Sequence, residues 1–270
     1  MLGFFNKLKE FNAFKRSKKS ATMSGALVFF TLLGLVPTAY LLSLLFTFFG
    51  KELSFALDLL TIEEFNGVKA FILQATNNFS NGRNALAGVL AVYSSANLFV
   101  HVKLVGEVIY NYKSQKTFIV RALSIIGTVI LSLITVLGLS VYALVSIWIK
   151  KILGGVLGGA VSLVALAFIF YLIVLYINLF CCPYKLNVKE VTVGSLYSCV
   201  LAVVYTLVFI LYVKYFSSYT EIYGKIAVIP AFFTWLFVLM RCLVTGFLIN
   251  AFMLGKVKRQ SKNLDFKPLI

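Results

Sequence analysis

From Val161 to Phe180 the chain reads VSLVALAFIFYLIVLYINLF, twenty residues without a formal charge. An α-helix rises about 1.5 Å per residue, so this run alone crosses a hydrocarbon core of about 30 Å. Five other stretches are comparably long and apolar, which places spans near 24–49, 85–105, 119–149, 152–180, 193–213 and 226–254. In hydrocarbon the backbone has no water to bond, so a span must be a helix or part of a closed barrel. Barrel strands need only about 9–11 residues, and these runs are far longer. The expected fold is therefore all-α, a polytopic bundle of six transmembrane helices. Composition agrees: 61% of the 270 residues are hydrophobic and 13% are charged, too few charges to cover a soluble surface. The second span, ALAGVLAVYSSANLFVHVKL, is rich in small and polar residues and is expected to be shielded by its neighbours.

Six spans put the two termini on the same side, together with the stretches around 103–121 and 185–190. That side carries 17 basic and 4 acidic residues, whereas the other carries 7 basic and 5 acidic. Lys and Arg accumulate on the cytoplasmic side of membrane proteins, so both termini are expected in the cytoplasm. The same bias accounts for the net charge of +16, and nucleic acid is not expected as a partner. Arg241 belongs to neither side.

Residues 1–20, MLGFFNKLKEFNAFKRSKKS, place Phe4, Phe5, Leu8, Phe11 and Phe14 at helical spacing, followed by Lys15, Arg16, Lys18 and Lys19. Such a segment suits an interfacial helix on anionic lipid headgroups of the cytoplasmic leaflet, or a charge cluster that only sets topology. The first outside loop, 51–84, alternates apolar and acidic positions at roughly helical period. One or two amphipathic helices are expected there, filling the outer face of the bundle or covering a cavity. Residues 256–270 form a basic cytoplasmic tail, which leaves 21–255 as the transmembrane domain.

Within the spans, KILGGVLGGAV holds Gly154 and Gly158, and Gly155 and Gly159, each pair one helical turn apart. Faces without side chains let another helix approach closely, within the bundle or in a homo-oligomer. Pro37 and Pro230 fall inside spans, where each frees the carbonyl four residues earlier and breaks the helical ladder. Cys181, Cys182, Cys199 and Cys242 have no CxxC spacing and read as small apolar residues.

Several stretches resemble the YihY/BrkB family of bacterial inner-membrane proteins. They are GALVFFTLLGLVPTAYLL with Pro37, VIYNYKSQKTFIVRAL with Tyr110, Phe118 and Arg121, and the long run from VTVGSLYSCVLAVVYTLVFILYVKYF to TGFLINAF. Gly194, Ser195, Tyr223, Gly224, Trp235, Gly246 and Asn250 carry the last match. The resemblance implies six spans and cytoplasmic termini, in agreement with the count above. Members have been labelled ribonuclease BN, others have been linked to envelope properties and serum resistance, and transport is the usual inference. Two departures stand out. Many members have Asn where this chain has Glu107, and an acidic residue where it has Leu248.

The ribonuclease label fits the residues poorly. A nuclease activates its nucleophile with clustered His, Lys or metal-binding carboxylates. This chain has one histidine, His101, and nine acids scattered over both sides. No HExxH, DxD, Cys/His cluster or glycine-rich phosphate loop occurs, so no catalytic residue, metal or cofactor is expected, and the chain does not read as an enzyme.

The residue that calls for explanation is Arg241, near the middle of TWLFVLMRCLVTGFLINAF. An arginine at the bilayer centre costs from about 2.5 to more than 10 kcal/mol. At 100° per residue, Thr234 and Thr245 fall within about 40° of it, a polar stripe with no Asp or Glu at its depth. Three readings stand: pairing with Glu107 or a proline-freed carbonyl, lining a wet cavity that takes an anionic substrate, or a position nearer one interface. The second leads to the functional expectation of a transporter or lipid-translocating protein for an anionic, amphiphilic envelope substrate held by Arg241, Thr234 and Thr245. The alternative is a non-transporting membrane scaffold for envelope assembly.

Overall fold

The computed structural model describes residues 2–48, 83–112, 117–153, 155–184, 186–215 and 228–260. They form seven helices: α1 (Leu2–Ser17), α2 (Ser20–Phe48), α3 (Arg83–Tyr110), α4 (Thr117–Leu153), α5 (Gly155–Cys181), α6 (Val188–Tyr215) and α7 (Val228–Gln260). No strand occurs among the described residues. Six of the helices, α2 to α7, are long and apolar enough to cross a membrane. The amphipathic helices expected within 51–84, the tail beyond Gln260 and Gly154 lie outside the described residues.

Much of the apolar surface stays uncovered. In α6 only 28% of the apolar window is buried, and Val200, Val204, Leu207, Val208 and Leu211 are all exposed. Water would not tolerate so wide an apolar surface, whereas lipid requires it.

Helix ends follow from local chemistry. Asn111 adopts φ 51°, and the Tyr112 N–H donates to the Glu107 carbonyl at 2.9 Å, a Schellman stop for α3. Lys19 adopts φ 47° between α1 and α2, and its N–H donates to the Arg16 carbonyl at 3.2 Å. Lys18 joins these two ends: its Nζ donates to the Val108 carbonyl at 2.7 Å and to Asn111 Oδ1. At the start of α6, the Asn187 N–H donates to Glu190 Oε2 at 2.8 Å while the Glu190 N–H donates to the Asn187 carbonyl at 3.0 Å, so Glu190 secures the first turn.

The chain divides into two compact units. The first comprises Met1–Phe30, His101–Ser114 and Val174–Ile270. Its centre is the seam between α6 and α7, where Gly194 and Gly246 let two backbones meet. A Cβ on Gly246 would overlap Ser198 Oγ and lie 2.6 Å from the Gly194 carbonyl oxygen. Ser198 Oγ donates to the Cys242 carbonyl at 3.0 Å, and the Gly194 N–H donates to Asn250 Oδ1 at 2.8 Å. Asn250 then donates to Asn178 Oδ1 of α5 at 2.9 Å, and Asn178 donates to the Val174 carbonyl at 2.9 Å. Both asparagines are almost fully buried, and a buried amide needs such partners. Further along, Trp235 Nε1 donates to Thr206 Oγ1 at 3.3 Å. In the same unit Gly106 of α3 packs directly on the backbone of Cys181.

The second unit comprises Thr31–Val100 and Gln115–Ile173. Here α4 buries Ser124, Thr128 and Ser132, one turn apart, and the Thr128 and Ser132 hydroxyls donate to carbonyls four residues back at 2.8 and 2.9 Å. Arg121 at the start of α4 stacks on Tyr93 of α3, 3.8 Å from the ring centre, and donates to Asn97 Oδ1. A cation near a span end thus gains a ring face and an amide oxygen in place of a carboxylate.

Gly155, Gly158 and Gly159 are helical, and the surroundings of the faces they form lie outside what is described.

Pro37 is inside α2, as its span required. Pro230 lies on α7, and Ile226, the residue whose carbonyl it was expected to free, lies outside the described residues.

Candidate functional site

The aromatic stripe of α1 settles on α7. Phe11 meets Phe252 edge-on with ring centres 5.5 Å apart, and Phe14 lies 5.9 Å from the same ring. Residues three and four apart share a helix face, so Asn12, Lys15 and Arg16 line the flank beside that stripe. The α1–α2 turn follows at once and brings Lys19, Ser20 and Thr22 to the same place.

Together with Arg241 of α7, these residues line an open groove of about 560 Å³. Four of them are cations (Lys15, Arg16, Lys19 and Arg241), and no carboxylate is among the described residues that line it. Arg241 is exposed, as are Arg16 and Lys19, while Lys15 is half-buried. Burial holds the Lys15 amine below its ordinary range, and the neighbouring Arg241 guanidinium lowers it further. Lys18, at the turn, is also lowered by burial.

That second cause is testable. Arg241→Leu should move the titration of Lys15 upward toward 10.5, followed by NMR of the isotopically methylated amine. An unchanged midpoint would show that the two charges do not feel each other.

The other expected site residues lie apart from the groove. Thr234 is exposed, and its hydroxyl donates to the Pro230 carbonyl at 2.8 Å. Thr245 is buried, and its hydroxyl donates to the Arg241 carbonyl at 2.7 Å. Each threonine thus bonds its own helix one turn back, and neither lines the groove. The three-residue stripe reduces, at the groove, to Arg241 alone. Glu107 is buried on α3 one turn after Lys103 and is not among the groove-lining residues.

Lys103 is itself buried, and its Nζ donates to the Phe180 and Cys182 carbonyls at 3.3 and 3.4 Å. A cation there offsets the negative end of α5. Next to it Cys181 and Cys182 are free and buried, and burial pushes the Cys182 thiol up to about 11, far from a reactive thiolate. His101 stacks flat on Phe30 with ring centres 3.2 Å apart. Among the described residues no cluster of His, Cys, Asp and Glu is arranged to hold a metal.

Sequence reasoning read the cations of this segment as lipid-facing or as a cluster that only sets topology and did not join them to Arg241. The spacing of 12, 15 and 16 marks one helix face, but only the fold shows which helix that face meets. Leu248, where many relatives of the resembled family have an acid, is fully buried next to the α6–α7 seam.

Among curated proteins and among solved structures no match is found. A family model described as Virulence factor BrkB matches residues 13–267. That match runs from α1 through all six long apolar helices, and the chain belongs to the BrkB family of membrane proteins.

Proposed function

We propose that this protein moves an anionic amphiphile across a bacterial inner membrane, with the headgroup held by Arg241 and the basic face of α1. The observation that carries the reading is the position of Arg241. It lies within the apolar span Pro230–Gly255, yet it is exposed to a groove shared with three further cations. A cation in an apolar span normally pairs with a carboxylate or a carbonyl. A groove of four cations instead has a demand for negative charge that a ligand can meet, and Arg and Lys are the side chains that bind phosphate and carboxylate. The biased distribution of Lys and Arg favours both termini, and hence the groove at α1, on the cytoplasmic side.

The rival reading is a membrane scaffold. Deleting residues 1–18 does not separate the two, because the deletion removes Lys15 and Arg16 from the groove as well as any docking segment. Reconstitution does. Purified protein in liposomes should speed the passage of fluorescent phosphatidic acid or phosphatidylglycerol between leaflets, read by dithionite quenching, well above protein-free liposomes. A scaffold leaves the rates with and without protein equal for both lipids, and that result would sink the transport reading.

A further inference from the structure

We infer that the groove between α1, the α1–α2 turn and α7 is a site for a phosphate group bearing two negative charges, so that the ligand is a phosphomonoester. The inference rests on the transport reading and narrows its substrate class.

The argument is one of charge matching. Lys15, Arg16, Lys19 and Arg241 come from three separate elements and meet without a carboxylate among the described lining residues. Charges of one sign held this closely repel, and the repulsion is stronger beside apolar helices than in water. A zwitterionic headgroup brings its own cation and relieves nothing. A phosphodiester supplies one negative charge and leaves most of the excess in place.

A phosphomonoester supplies nearly two charges at neutral pH, spread over three acceptor oxygens. Those oxygens suit this set of donors. The guanidinium groups of Arg16 and Arg241 can each present two parallel N–H donors, and the ammonium groups of Lys15 and Lys19 act as point charges on flexible stems. Ser20 and Thr22 stand at the first turn of α2, a long helix whose positive end adds to the same field. The volume of about 560 Å³ lies within the ordinary range of organic-ligand sites, so a phosphate bearing an organic group fits as readily as the free ion.

The test uses the full chain, delipidated in a neutral detergent. Native mass spectrometry compares phosphatidic acid, phosphatidylglycerol and phosphatidylcholine of matched acyl chains, and calorimetry measures inorganic phosphate alone. Phosphatidic acid should bind about tenfold more tightly than phosphatidylglycerol, and the double variant Lys15→Gln with Lys19→Gln should weaken it about tenfold. Lys15→Arg with Lys19→Arg should keep the affinity. Lys189→Gln, exposed on α6, should leave it unchanged and controls for general loss of charge. Binding of inorganic phosphate that the double glutamine variant loses, with no preference among lipids, keeps the two-charge site and makes its source soluble. Absence of both the lipid preference and variant-sensitive phosphate binding overturns the assignment.

The outcome separates from that of the transport reading. If liposome transport depends on Arg241 while no phosphate binds the groove, the phosphomonoester assignment fails alone. If phosphate binds and reconstituted protein moves no lipid, the transport reading fails and the site stands.

Discussion

Replacing Gly246 with alanine should remove most of the folded protein from a detergent extract. The new Cβ would overlap Ser198 Oγ and sit 2.6 Å from the Gly194 carbonyl oxygen. The serine could rotate away only by giving up its bond to the Cys242 carbonyl. The Gly194 oxygen is backbone and yields only if α6 moves off α7, which also stretches the Gly194 to Asn250 bond and the amide chain to Asn178. Overpacking a tight core costs about 1–3 kcal/mol, and leaving a buried amide unpaired adds about 1–3 kcal/mol more. That is a large part of a typical stability of about 5–15 kcal/mol. Gly194→Ala should behave alike, since its Cβ would press on Asn250 and on the Gly246 carbonyl. Gly25→Ala is the control, because nothing lies within 4 Å of a Cβ there. Size-exclusion profiles and melting curves in one detergent compare the three. A Gly246→Ala protein that melts with the Gly25→Ala control would contradict the account of the seam.

The seam also shows where sequence reading stops. The six spans were legible because span length and hydropathy are properties of one contiguous window, and each expected run coincides with one long helix. Gly194 and Gly246 sit on different helices, so no window contains both, and only the family resemblance had singled them out. The glycines of KILGGVLGGAV formed the more visible pattern because they repeat within one helix.

The candidate site was half legible. A guanidinium within an apolar run stands out from composition alone, and Arg241 does line a polar groove. Its angular neighbours Thr234 and Thr245 were the natural companions on a helical wheel. The wheel gives direction but neither burial nor hydrogen bonding, and both hydroxyls are taken up by their own helix. The true companions belong to α1, which meets α7 through Phe11, Phe14 and Phe252, a contact between opposite ends of the chain.

Arg241→Leu should stop lipid movement while leaving the fold in place. Arg241 is exposed and stands clear of the α6–α7 seam, so its loss removes charge and few packing contacts. Leucine is also far cheaper than arginine in an apolar span, which favours insertion of the variant. What is lost is the one groove cation contributed by α7. Without it Lys15, Arg16 and Lys19 remain on the α1 side, and a headgroup can no longer be held between two elements. Loss of a charge-assisted hydrogen bond costs about 1.5–3 kcal/mol, or roughly ten- to a hundredfold in affinity. Arg241→Lys should retain part of the activity, since it keeps the charge and loses the planar fork.

The most direct measurement is the initial rate at which reconstituted Arg241→Leu passes fluorescent phosphatidic acid between leaflets, relative to wild type at equal protein per liposome. The cationic groove predicts a rate indistinguishable from protein-free liposomes, with a wild-type elution profile before reconstitution. A variant that moves the lipid at the wild-type rate would contradict the claim that Arg241 handles the substrate.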